Sequence, residues 1–483
     1  MRAGRVAPVL AAALAAAACN DGLTDINNNP NAPTSVSAQF LLPSAQQAAI
    51  ERALGVNFNL TMTGLWSQHW AKVQYIDEDR YDLRPAQVDA HWTGFYAGPL
   101  RDLKEVVDQG TEQGIPNWSG IGMVMQAWTF HIMTDIWGDI PYSEALKGDY
   151  DDGNVVTPVY DTQQSVYDGL FAQLTAATAA FAPGGRTFGD EDLIYGGDVA
   201  AWRRFSNSLR LRLAMRIVLA DATKARSQFE AALGAAGGVF TSNAHNAELH
   251  YDAGPPSANP FYINQEIDGR FDHVISAAMV DSLLSLDDPR LSVYADPAPT
   301  PTYGPWNGMP NGVDDGFDVE LPTRSRIGSA FLAPDAPLVL MTWAEVLFLR
   351  AEAAQRGWAA GGTAAALYTA AITASMQQHG ISGADITTYL AQPEVVYDPA
   401  IGLRQIALQK WIALYGNGPE AFAEQRRTGW PILTPAPASV IGNRLPVRVF
   451  YPTIEQSLNK SNHDAAVGRN GGDDLIDPVW WDR

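Results

Sequence analysis

From Ala38 onward, apolar residues recur every three or four positions over most of the chain, which is the period of an amphipathic helix. In the segment Ser206–Ala220, Leu209, Leu213 and Ile217 lie four residues apart, and arginines occupy neighbouring positions. Runs that alternate in the way a half-buried strand requires are few. The pattern therefore predicts a mostly α fold, with helices near residues 38–54, 86–109, 119–136, 161–181, 199–220, 223–236, 272–285, 337–356, 363–379, 402–415 and 418–427.

Glycine and proline clusters interrupt this helical pattern, and the stretch 297–329 is the longest such region. Loops of more than about 12–15 residues inside a compact domain usually carry function. Successive helices suggest stacked hairpins like tetratricopeptide repeats, although no clean repeat of about 34 residues is visible. We expect a single domain over residues 38–483, with long loops and an elaborated loop-rich lobe around 240–335. Short strands are expected at Val239–Phe240, Leu249–Tyr251 and Val447–Tyr451.

The first 18 residues have the organisation of a secretory signal, because two arginines precede an alanine- and leucine-rich run that is too short to span a bilayer. The run ends at Cys19, the single cysteine of the chain, which cannot form an internal disulfide. The residues before the thiol resemble a bacterial lipobox, although Ala16 stands where leucine is favoured. We expect a lipoprotein signal peptide at 1–18, lipid attachment at Cys19 and a flexible tether at 19–37. The alternative is an ordinary secretory peptide with Cys19 incidental.

The composition narrows the class of protein. A net charge of −21 opposes contact with nucleic acid or an anionic lipid surface. The chain has no His-Glu-x-x-His, Gly-x-Ser-x-Gly or Walker segment, its eight histidines are scattered, and its 53 acidic residues single out no glycosidase pair. We therefore predict a binding protein and not an enzyme, with no cofactor and no nucleic-acid partner.

Several sequence blocks are informative when taken together. The most specific is WTFHIMTDIWGDIPYSEAL at residues 128–146. The other blocks are LTDINNNPNAPT at 23–34, DLIYGGD at 192–198, WRRFSNSLRLRLAMR at 202–216, MTWAEVLFLRAEAA at 341–354, QKWIALY at 409–415, YPTIE at 451–455 and VWWD at 479–482. In this order they resemble the SusD/RagB family of nutrient-binding outer-membrane lipoproteins over nearly the whole chain.

The resemblance implies a SusD-like α-α superhelix and a lipoprotein held in the cell outer membrane by acylated Cys19, facing outward. It also implies a partner, a SusC-like TonB-dependent transporter barrel, to which the protein delivers a captured nutrient. An oligosaccharide is favoured over a peptide. Two other classes stay open: a helical-repeat adaptor that binds proteins at the outer membrane, and a glycan hydrolase, which the missing carboxylate pair disfavours.

Candidate ligand contacts are aromatic side chains that the core does not obviously need. The spacing of Trp66 and Trp70 places both rings on one helix face, with Tyr75 shortly after them. Tyr303 and Trp306 lie in the long loop, where exposed rings would stack on apolar sugar faces. The predicted contact residues are Trp306, Tyr303, Trp66, Trp70, Tyr75 and Asn307, with Asn311 and Gln68 as polar companions. Tryptophans assigned to packing are Trp92, Trp128, Trp137, Trp202, Trp343, Trp358, Trp411 and Trp430.

Two predictions concern charge. The acidic turns 149–154 and 314–318 offer oxygen ligands for a structural calcium ion, although neither has the glutamate that ends a twelve-residue calcium loop. No other metal is expected. The arginine-rich helix is expected to form a buried ion pair with a packed helix, through Arg210 or Arg212 on one side and Glu345 or Glu352 on the other.

Overall fold

The computed structural model describes residues 36–148 and 152–483. The predicted signal peptide, Cys19 and nearly all of the predicted tether lie outside the described residues. In the described part no helix is long and apolar enough to cross a membrane.

The structure is mostly helical, which confirms the predicted fold class. Consecutive long helices pack against one another along the chain, so the scaffold is a series of helical hairpins. The helices are Ala38–Leu54 (α1), Gly64–Trp66 (α2), Pro85–Phe95 (α3), Arg101–Glu112 (α4), Pro116–Trp137 (α5), Gln163–Ala180 (α6), Val199–Arg216 (α7), Ala222–Leu233 (α8), Pro260–Tyr262 (α9), Ala277–Ser285 (α10), Leu291–Tyr294 (α11), Trp343–Gln355 (α12), Ala364–Gln378 (α13), Gly383–Leu390 (α14), Gly402–Ala413 (α15), Gly418–Thr428 (α16), Thr453–Leu458 (α17) and Lys460–Asn470 (α18).

Local chemistry explains where several helices begin and break. The Asp198 side chain accepts hydrogen bonds from the amides of Ala200 and Ala201, and thereby caps α7. Thr342 caps α12 in the same way by accepting from the amide of Glu345. The single helix predicted over 86–109 is instead divided into α3 and α4 by a wide turn at Tyr96–Leu100, which contains a glycine and a proline.

The strands form four antiparallel pairs of two strands each within the described residues. The pair formed by Ala295–Asp296 and Arg326–Ile327 closes the base of the long loop, and Leu338–Met341 packs against α1. Residues 338–341, predicted as the start of a helix, are a strand. Val447–Tyr451, predicted as a strand, forms no ladder, because its amides bond to unrelated carbonyls, those of Leu475 and Ile136. Val239–Phe240 is likewise no strand. The strands are Trp70–Lys72 (β1), Ile140–Pro141 (β2), Tyr160–Asp161 (β3), Ala247–Leu249 (β4), His273–Ile275 (β5), Ala295–Asp296 (β6), Arg326–Ile327 (β7) and Leu338–Met341 (β8).

Helix α5 lies at the centre of the core, and nearly all of its side chains after Pro116 are buried. Trp481, far along the chain, is also fully buried against it, and its indole Nε1 donates to Asp135 Oδ1 at 2.9 Å. The guanidinium of Arg216 lies 5.4 Å from the Trp481 ring centre. Of the tryptophans assigned to packing, Trp92, Trp128, Trp137, Trp202 and Trp411 are buried, and Trp343, Trp358 and Trp430 are partly buried.

The predicted ion pair between helices is confirmed for one of the two candidate arginines. Arg212 Nε and Nη2 each donate to a carboxylate oxygen of Glu345 at 2.7 Å, and both side chains are buried. Burial alone would lower the pKa of Arg212, but the carboxylates of Glu345 and Glu420 raise it. Glu352 pairs instead with Arg427.

Candidate ligand-binding surface

The long loop 297–329 is held in place by its own backbone and by the β1–β5 pair. The amide of Ala298 donates to Pro305 O at 2.9 Å, and that of Ser325 donates to Asn307 O at 2.9 Å. Met309 donates to Ile275 O at 3.0 Å, which attaches the loop to the end of β5. These bonds make the loop a fixed platform.

Two aromatic side chains project from this platform. Tyr303 is 62% exposed, and its hydroxyl donates to Glu320 Oε2 at 3.0 Å. That hydrogen bond raises the pKa of the Tyr303 phenol, so the ring stays neutral. Trp306 is half-buried and packs against the main core. One part of its indole is thus fixed while another part stays accessible.

Asn307 serves the platform itself. Its Nδ2 donates to Thr323 O at 2.8 Å, and its Oδ1 accepts from Arg324 Nη1 at 3.3 Å. Because these bonds engage both the oxygen and the nitrogen of the amide, the side chain holds two segments of the loop together. A direct contact of Asn307 with ligand stays a prediction.

Tyr75 follows β1 and is 68% exposed. Its backbone is left-handed, with φ of 50°, and the guanidinium of Arg270 lies 5.5 Å from its ring centre. Asp272 holds Arg270 in turn at 2.8 Å. Arg270, held by Asp272, therefore orients the exposed ring of Tyr75.

The segments that carry these rings are joined by a shared apolar cluster. A small apolar cluster joins the strands β1 and β5 to the loop through Ala71, Val274 and Met309. Tyr75 precedes Ile76, which belongs to this cluster, and the segment Tyr303–Trp306 precedes Met309, which belongs to the same cluster. We call Tyr75, Tyr303 and Trp306 the aromatic surface.

The placement predicted for Trp66 and Trp70 is wrong. Helix α2 ends at Trp66, Gln68 takes a left-handed backbone with φ of 55°, and Trp70 begins β1, so the two rings do not share a helix face. Trp66 is 1% exposed and donates to Glu78 O, whereas Trp70 is 0% exposed and donates to the hydroxyl of Tyr415. Both indoles support the core and leave no face open to a ligand.

The two polar companions are also buried. Asn311 Nδ2 donates to Trp70 O at 2.7 Å and to Asp79 Oδ1 at 2.8 Å, so it joins the loop to β1. Gln68 Nε2 donates to Thr434 O at 2.6 Å. These amides fix the scaffold beneath the aromatic surface.

Sequence reasoning missed two further rings near this surface. Phe317 is 38% exposed, and the guanidinium of Arg324 lies 5.8 Å from its ring centre. Phe271 is partly buried and lies beneath Arg326 at 5.2 Å. A signal for Phe317 was present, because it is an isolated aromatic residue in a polar, glycine-containing loop.

The acidic turns have ordinary local partners. Asp314 Oδ1 accepts from the Gly316 amide at 3.0 Å, and Asp152 pairs with Lys104 at 2.9 Å. Residues 149–151 of the first turn lie outside the described residues. In the described part, no group of three or more His, Cys, Asp or Glu side chains is arranged to hold a metal ion. Calcium binding stays a prediction.

The described residues form a helical-hairpin scaffold with a long loop that carries an exposed tyrosine ring. A family model described as "Starch-binding associating with outer membrane" (SusD-like) matches residues 30–452. The chain belongs to this SusD-like family.

Solved structures agree with this membership. A chitin-binding protein is 28% identical, with a TM-score of 0.81, over 92% of this chain and 100% of that one. A chitin-binding SusD homologue from Flavobacterium johnsoniae is 26% identical, with a TM-score of 0.80, over 92% and 98%. A SusD homologue from Bacteroides uniformis is 26% identical, with a TM-score of 0.82, over 92% and 99%. The search of curated proteins found no match.

Proposed function

We propose that the protein captures an oligosaccharide at the aromatic surface and acts as a binding protein without catalytic activity. The observation that carries this proposal is the presence of two exposed phenols and a half-buried indole beside one anchored loop. Aromatic rings offer apolar faces that match the C–H faces of sugars, and the anchored loop lowers the entropy lost on binding. The family description and two chitin-binding neighbours support a glycan over a peptide.

The family membership also supports a cellular role. We propose that the protein is a lipoprotein anchored at Cys19, faces outward from the outer membrane, and hands its glycan to a SusC-like TonB-dependent transporter. Acylation would keep the protein at the membrane surface, since each buried methylene contributes about 0.8 kcal/mol. Labelled palmitate that remains incorporated in a Cys19→Ala variant would refute the anchor.

The binding proposal is tested by titration calorimetry with chitin- and starch-derived oligosaccharides. Trp306→Ala and Tyr303→Ala are each expected to weaken binding about tenfold, which corresponds to about 1.4 kcal/mol per ring. Phe40→Ala is the matched control, because Phe40 is 76% exposed on α1, outside the loop platform. The affinity of the Phe40→Ala variant for the oligosaccharide is expected to stay unchanged.

Two results would overturn the proposal. One is unchanged glycan affinity when all three rings of the aromatic surface are replaced by alanine in a protein that still folds. The other is binding of peptides by the unmodified protein with no binding of any glycan on an array.

A further inference from the structure

We propose that the protein has a second, separate ligand site: a pocket beside β8 that binds a short uncharged saccharide of one or two rings. The pocket has a volume of about 360 Å³. Its walls come from β8, from the turn between α15 and α16, from the end of α13 and from the segment around Phe331. It shares no lining residue with the aromatic surface, so the inference goes beyond the proposed function.

The apolar wall of this pocket is built from fixed rings. Phe331 meets Tyr415 edge to face, with ring centres 4.9 Å apart, and Phe261 forms another part of the wall. Trp70 packs against two of these rings, with its ring centre 5.6 Å from that of Tyr415 and 5.7 Å from that of Phe261. Because Trp70 is buried and hydrogen-bonded to Tyr415, the wall is rigid before any ligand arrives.

The polar groups of the pocket divide into two sets. Asn259 and Asn417 are bonded to the backbone at their amide groups and belong to the scaffold. In contrast, neither the Gln378 amide nor the His379 imidazole has a hydrogen-bond partner within the described residues, and both line the pocket. A sugar hydroxyl can donate and accept, so it can pair with either group.

The charge of the pocket selects against anions. Glu345 is neutralised by Arg212, which engages both of its carboxylate oxygens. Burial and the nearby Arg290 lower the pKa of His379 to about 4, so its imidazole is neutral at pH 7. Glu248 lies 3.5 Å from His250, has no arginine or lysine partner within the described residues, and contributes a negative charge at the wall. A uronate or sulfated sugar would meet repulsion there.

The volume sets the size of the ligand. Pockets that hold small molecules are usually about 300–1,000 Å³, and this one lies at the lower end. A sugar of one or two rings can place a ring face against Phe331 and its hydroxyls toward Gln378 and His379. A long glycan chain would not fit inside.

The test uses saturation-transfer NMR and titration of the purified protein with glucose, N-acetylglucosamine, chitobiose and glucuronate. At least one of the three neutral sugars is expected to bind in the millimolar range, and glucuronate is expected to bind at least fivefold more weakly. Phe331→Ala and Gln378→Ala are each expected to weaken the neutral sugar at least fivefold. Gln378 has no hydrogen-bond partner among the described residues, so its replacement tests the site even if the Phe331 variant folds poorly.

Two matched variants separate this site from the aromatic surface. Tyr303→Ala is expected to leave binding of the short sugar unchanged, although it weakens long glycans under the proposed function. Glu248→Gln is expected to narrow the difference between glucuronate and the neutral sugars. The inference is overturned if no neutral sugar shows saturation transfer, or if binding of the neutral sugar survives both Phe331→Ala and Gln378→Ala.

Discussion

Replacement of Arg212 by methionine tests the buried ion pair between α7 and α12. The guanidinium donates twice to Glu345 at 2.7 Å and once to Leu340 O at 2.8 Å. Methionine keeps much of the side-chain volume but removes all three bonds, and it leaves a buried carboxylate without its main counter-charge. Loss of one partner of a buried pair costs about 3–5 kcal/mol, and we expect about 4 kcal/mol here.

The measurement is urea unfolding followed by circular dichroism, in which Arg212→Met is expected to lower the midpoint by about 1 M. The loss should grow as the pH rises above 4.5, the ordinary pKa of a glutamate. Without Arg212, burial raises the pKa of Glu345 further, so stability falls as pH rises from the unfolded pKa toward the folded one. A double variant with Glu345→Leu should recover most of the loss, because no buried charge is then left unpaired.

Arg210→Met is the matched control on the same helix. Arg210 is also buried, but its guanidinium bonds Gln228 at 3.2 Å and forms no ion pair in the part of the chain that the structure describes. We expect its replacement to cost less than half as much. An unfolding midpoint for Arg212→Met that equals that of the unmodified protein would refute the reasoning.

Three further predictions concern the scaffold. Burial raises the pKa of Asp79 to about 6 from 3.8, so the folded state holds a proton that the unfolded chain releases. The free energy of unfolding should therefore fall by up to about 3 kcal/mol from pH 4 to pH 7. In Asp79→Asn the difference between the urea midpoints at these two pH values should be smaller. Trp66→Ala should cost about 3–5 kcal/mol in urea unfolding while glycan affinity of the folded fraction stays unchanged, and a selective loss of affinity would contradict its core role. Gly312→Ala should lower the melting temperature, because φ is 61° there and an added Cβ would collide with Ala436; an unchanged temperature would show that the loop relaxes.

The parts of the fold that the sequence predicts well are long helices with a sustained apolar period. Helices α1, α5 and α13 begin and end within a few residues of the predicted limits, because many positions repeat the same signal. Short apolar runs such as 338–341 carry too few positions to distinguish a strand from the start of a helix. Helices α17 and α18 were missed because their sequences are mainly polar.

The candidate site was predicted less well, since exposure depends on contacts between distant segments. Tyr75 and Tyr303 were placed correctly on the surface, because the residues that flank each of them in the sequence already indicate a loop. The four-residue spacing of Trp66 and Trp70 was misleading, since it indicates a shared face only if the helix continues through Gln68. The pocket beside β8 could not be predicted at all, because the segments that line it come together only in the folded chain.

The burial of Trp481 against α5 has a consequence for the cooperativity of folding. The ring lies beside Asp135, which stands 346 residues earlier in the chain. Segments that are far apart in the sequence therefore share one core, and neither reaches its final packing without the other. We expect Trp481→Ala to make α5 more open to protease than it is in the unmodified protein.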